Sequence, residues 1–142
     1  MEHEVRYLED VRVGDQIGPS TRVVTTEMVR QFCRAWGSRM PNRFTDDQVA
    51  RAEGLPHALL PGIMSMGLAA TLLGRWAPGS KVRRLETLFR RPVPHNQPLR
   101  LAGAVTAKDS NTVECEVHLQ GEDGEPLATS SATLILASRE EL

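Results

Sequence analysis

Only two cysteines, Cys33 and Cys115, occur among the 142 residues, and their separation fits no metal-ligand motif. A lone disulfide between them is not needed in a chain that is 40% apolar. A reduced protein of the cytoplasm is the expectation. A surplus of one charge is missing as well, with 17 Lys and Arg against 18 Asp and Glu. Nothing in that balance points to a nucleic-acid or anionic-membrane partner. Long apolar runs are absent: the longest, Leu59 to Leu73, is shorter than the roughly 20 residues that span a bilayer and is interrupted by Pro61, Gly62, Ser65 and Gly67. The leading Met-Glu-His-Glu-Val is acidic where a secretory leader is basic and then apolar, so export is not expected. No internal repeat, low-complexity tract or linker divides the chain. Its length suits one domain over residues 1–142, burying about 70% of the surface of its unfolded form.

What is present divides into helical periods first and strand periods later. Tyr7 to Ile17 alternates loosely and predicts an extended leading segment, followed by a first strand over Thr21–Thr25. Met28, Val29, Phe32, Cys33 and Trp36 recur at helical spacing, with Glu27 in the first turn and Gly37 as the stop. Thr45-Asp46-Asp47-Gln48 has the spacing of a capping box, with Thr45 and Gln48 satisfying free amides of a short helix that runs to about Glu53 and closes at Gly54. Leu59 to Trp76 predicts the longest helix, with Pro61 in its first turn and Pro78-Gly79 after it. Apolar residues occur almost all round that helix, which predicts burial on most faces. Strand-like segments follow over Val82–Val93, Pro98–Lys108, Thr112–Gly121 and Leu127–Ala137. One buried helix followed by meandering strands predicts an α+β domain, an antiparallel sheet wrapped around a long central helix.

Three stretches carry a resemblance. Tyr7-Leu-Glu-Asp-Val-Arg-Val-Gly-Asp and Phe89-Arg-Arg-Pro-Val-Pro flank a middle portion, Arg39 to Gly62, in which Asp46, Ala50, Gly54 and Gly62 fall on a recognisable pattern. In these segments the chain resembles the MaoC-like (R)-specific enoyl-thioester hydratases and dehydratases. That family has an Asp-x-Asn-Pro-x-His-x-Asp segment and an Ala-His-Gly-Met approach to its central helix. The resemblance implies the hotdog fold. It also implies that the family's catalytic aspartate corresponds to Arg39 and its histidine to Phe44. The Asn-Pro pair stands inverted as Pro41-Asn42, and the histidine before the helix glycine is Pro61.

In the family the aspartate and histidine activate the water added across a double bond conjugated to a thioester. Arginine stays protonated and phenylalanine has no exchangeable proton, so the pair in this chain cannot perform that step. The resemblance makes Gly62 the amide that receives the thioester oxygen, with Pro61, Ile63, Phe44, Asn42 and His57 around the substrate. A plainer reading has Pro61-Gly62 only starting a helix. His57 is either a replacement proton carrier or a solvent-facing imidazole, and His95 reads as a turn residue. Ser38 and Ser65 have no recognisable base, and Cys33 reads as core. Of the basic run Lys81, Arg83, Arg84, Arg90 and Arg91, Arg83 and Arg91 are the candidates for binding phosphate, against a solvated strand face. Arg39 either pairs with Asp46 or Asp47 or reaches an anion on a ligand or partner.

No metal or cofactor is called for. The implied partners are an acyl-CoA or acyl-carrier-protein thioester and a second hotdog subunit, in a homodimer or heterodimer. Three functions follow as expectations. The first is an accessory subunit that binds acyl thioesters without catalysis of its own. The second is a divergent hydratase, dehydratase or polyketide-type cyclase using other residues. The third is an interaction protein with a filled pocket.

Overall fold

The computed structural model describes residues 4–141. Its elements run β1 (Gln16–Val23), α1 (Thr26–Trp36), α2 (Asp47–Ala52), α3 (Gly62–Trp76), β2 (Lys81–Phe89), β3 (Pro98–Lys108), β4 (Thr112–Gln120) and β5 (Pro126–Ile135). The five strands form one antiparallel sheet in the order β1-β3-β4-β5-β2. Strands β1 and β2 are its two edges, yet both approach α3. Only a curved sheet brings its edges to one helix, so the expected α+β arrangement is present.

Register explains the core. Leu85, Ala132, Cys115 and Val105 share one cross-strand row, and Phe89, Ala128, Leu119 and Leu101 share another. Residues paired in this way point to the same face. With Leu73, Leu99, Val113 and Leu134, these rows enclose the buried side of α3, formed by Ser65, Ala69, Leu72 and Leu73.

Helix α1 matches its sequence signals. The Thr25 hydroxyl accepts from Met28 N at 3.2 Å, and Gly37 closes the helix in the left-handed region at φ +83°. Six expectations need correction. Strand β1 starts at Gln16, not Thr21, because Gly18-Pro19 forms an irregularity between Ile17 and Ser20 without ending the strand. The segment before it is not uniformly extended, since Leu8–Asp10 makes a 3₁₀ turn and Gly14 has φ +95°.

The cap of α2 is Asp46, whose carboxylate accepts from Gln48 N at 3.0 Å. Thr45 Oγ1 is already taken by Asn42 N at 2.9 Å. Helix α3 starts at Gly62, three residues late, because Leu59 bridges to Pro94 and Leu60 N donates to Val93 O at 2.8 Å. Nor is α3 buried on most faces: Ile63, Gly67, Thr71 and Gly74 form an exposed stripe at helical spacing. At the far end, β2 stops at Phe89 rather than Val93, since Pro92 and Pro94 have no N–H for a ladder.

Candidate functional site

Helix α3 and strand β2 run antiparallel because only residues 77–80 join them. The start of the helix therefore lies beside the end of the strand. A Cβ placed on Gly62 would sit 3.1 Å from the Phe89 ring. Beside this contact is a cavity of about 350 Å³. Phe44, Leu59, Leu60, Phe89, Pro92 and Val93 make its apolar wall, Gly62 lies at the helix end, and Arg90 and Arg91 complete the lining.

Among the described residues, no carboxylate and no imidazole lines it. The cavity can hold an apolar group next to the first amide of α3, where the helix dipole favours negative charge. Its arginines remain protonated, so it offers no proton acceptor near neutral pH.

The sequence candidates distribute unevenly around this cavity. Gly62, Phe44 and Arg91 line it, while Pro61 is buried just before the helix and Ile63 is 49% exposed on the free side of α3. Asn42 is committed to its own loop. Its Oδ1 accepts from Phe44 N at 2.8 Å and Thr45 N at 3.1 Å, and its Nδ2 donates to Arg39 O at 2.8 Å. His57 is half-buried and pairs through Nδ1 with the Ala58 carbonyl at 2.8 Å, outside the cavity lining.

Arg39 is exposed, and among the described residues it pairs with neither Asp46 nor Asp47. Arg83 is exposed on β2 and does not line the cavity, whereas Arg90 does. Arg84 pairs with Glu86 and Arg91 with Glu125. Leu59, Leu60, Phe89, Arg90, Pro92 and Val93 are the lining residues that sequence reasoning did not select. The one available signal was the Phe89-to-Pro94 stretch, which carries the resemblance but has no chemistry-bearing group except its arginines.

Both cysteines are free and buried. Burial pushes the Cys115 thiol up to about 12, removing it from nucleophilic chemistry. The Ser65 hydroxyl is buried without a hydrogen-bond partner among the described residues. No three His, Cys, Asp or Glu side chains gather as metal ligands among those residues, and no helix is long and apolar enough to cross a membrane.

His95 is more than a turn residue. Its Nδ1 lies 3.1 Å from Thr26 Oγ1, which also accepts from Asn96 Nδ2 at 2.9 Å. The threonine hydroxyl can donate to Nδ1 when the imidazole proton sits on Nε2. That nitrogen is buried without a hydrogen bond of good geometry, although the Leu59 and Phe44 carbonyls are close. His95 borders a second cavity of about 300 Å³ that also meets Thr26, Arg30, Asp46 and Asp47.

Burial holds the His95 pKa below its ordinary value. The His57 charge acts with it, and the two carbonyls and the Asp47 carboxylate act against it. Between the folded value and about 6.5, the unfolded chain binds more protons at this residue, so stability should fall as pH drops through that window. The lowered carboxylates Glu9, Asp10 and Asp47 titrate below it. Thermal unfolding between pH 7.5 and 5.5 should show a steeper loss of Tm in the wild type than in His95→Gln. Equal slopes would remove His95 as the cause.

No family model matches the sequence, and no curated protein matches it. Solved structures do. The (R)-hydratase from A. caviae involved in PHA biosynthesis is 19% identical with a TM-score of 0.81, over 90% of this chain and 98% of that one. The MaoC-like dehydratase from Rhodospirillum rubrum is 20% identical with a TM-score of 0.78, over 94% and 98%. The HadBC complex from Mycobacterium tuberculosis, a 3R-hydroxyacyl-ACP dehydratase, is 20% identical with a TM-score of 0.72, over 87% and 96%. The chain has the hotdog fold of these MaoC-like hydratases and dehydratases.

Proposed function

We propose that residues 1–142 form one MaoC-like hotdog domain that binds an acyl thioester at the Gly62 cavity and has no hydratase activity alone. The observation that carries this reading is the lining itself: an apolar cavity at a helix amide, with Phe44 where the resembling family has its histidine and no proton acceptor in reach. Its role is that of a partner subunit, the catalytic pair coming from another hotdog chain in the cytoplasm. An open cavity of about 350 Å³ speaks against a pocket filled by the chain's own side chains. Binding and turnover of trans-2-enoyl thioesters, with the chain alone and mixed with a second hotdog subunit, tests the reading.

The proposal includes a dimer through β2. This edge strand carries Val82, Leu88 and Phe89, which are 45%, 60% and 44% exposed, and an unpaired apolar edge favours another strand. Antiparallel self-pairing centred on Leu85 sets Arg84 of one copy opposite Glu86 of the other, twice by symmetry. In sedimentation equilibrium, Glu86→Arg should weaken self-association roughly tenfold by opposing like charges. Adding Arg84→Glu to the same chain should restore it. Unchanged association in both variants would rule out this register.

A further inference from the structure

We propose that the Gly62 cavity selects acyl groups bearing a carboxylate of their own, and that Arg90 reads that charge; this rests on the thioester reading above. The cavity lining holds two cations and no anion. Glu125 neutralises Arg91. Arg90 pairs with no carboxylate among the described residues, although it also borders a shallow basin with Glu86 and Glu116 on the outer face of the sheet. Those two carboxylates are already engaged, Glu86 by Arg84 and Glu116 by His118 Nε2 at 3.1 Å. Arg90 is therefore the lining cation whose charge is left for a ligand.

Size brings the two recognition elements together. A volume of about 350 Å³, that of a sphere roughly 9 Å across, suits a short acyl chain between a thioester oxygen at the Gly62 amide and a carboxylate at Arg90. The apolar wall of Phe44, Leu60 and Val93 suits the methylenes between them. A guanidinium matches a carboxylate through two parallel hydrogen bonds, which an alkyl terminus cannot return. The loop leading to Phe44 adds no opposing charge, since Arg39 stands there where the resembling pattern has an acid.

The test compares glutaryl-pantetheine with pentanoyl-pantetheine, which match in chain length and lack carrier phosphate. By titration calorimetry at low salt the wild type should bind the glutaryl thioester roughly 5- to 10-fold more tightly, a modest factor because Arg90 is exposed and screened. Arg90→Gln should abolish the preference, so that the two thioesters bind within about twofold of each other. Equal affinities in the wild type, or a preference that survives Arg90→Gln, would overturn the inference while leaving thioester binding intact. Failure of both ligands to bind would overturn the thioester reading and this inference with it.

Discussion

Crotonyl-CoA incubated with the purified chain at neutral pH should return unhydrated. A positioned acid or base contributes about 10²- to 10⁴-fold, and neither motif position supplies one. Arg39 is permanently protonated and lies outside the cavity lining, and Phe44 presents a hydrocarbon to the cavity beside Gly62. The chain does bring an acid and an imidazole together, Asp47 and His95, but they border a different cavity from the one at Gly62. His95 also has its Nδ1 engaged at Thr26, and Asp47 accepts from Ala58 N at 2.8 Å.

Loss of absorbance at the conjugated double bond is the measurement. Turnover that appears only when a second hotdog subunit with an intact Asp and His is added would support the partner role. Turnover by the isolated chain, abolished by His95→Gln, would transfer the chemistry to the second cavity and end the non-catalytic reading.

Gly103→Ala should cost about 3 kcal/mol or more, a large fraction of the stability of a domain of this size. Gly103 pairs with Val117 on β4 and with Ile17 on β1, in the middle of the sheet. A Cβ there would lie 1.9 Å from the Glu116 carbonyl oxygen, 2.9 Å from its carbon and 3.0 Å from Val117 Cα. All three atoms are backbone in a laddered strand, so relief requires β3 and β4 to separate rather than a side chain to rotate.

Gly62→Ala is the instructive comparison. Its nearest contact is the partly exposed Phe89 ring at 3.1 Å, which can turn aside. Urea denaturation of the two variants should give a much lower midpoint for Gly103→Ala. Similar midpoints would mean that β3 and β4 accommodate the methyl group.

The features legible in sequence were those whose bonds are local. The helix over Thr26–Trp36 and its stop at Gly37 depend on neighbours a few residues away, and they occur where the spacing put them. The start of β1 was misplaced because its pairing partners, Gly103 and Ala104, are far along the chain. The start of α3 was early because Leu59 and Leu60 continue the apolar run but spend their backbone on Pro94 and Val93. His95 read as a turn residue because its partner Thr26 lies 69 positions away.

Taken alone, the sequence determined the α+β class, the order of elements and the glycine near the start of the central helix. These follow from periodicity and from side-chain chemistry, which no packing can alter. Only the tertiary structure decided which cations share a cavity with Gly62, that Arg90 is one of them and Arg83 is not, and that half-buried His95 has its Nε2 shut off from solvent. Those relations depend on the curvature of the sheet and on where β2 ends against α3, and both are fixed by contacts between residues that spacing along the chain does not connect.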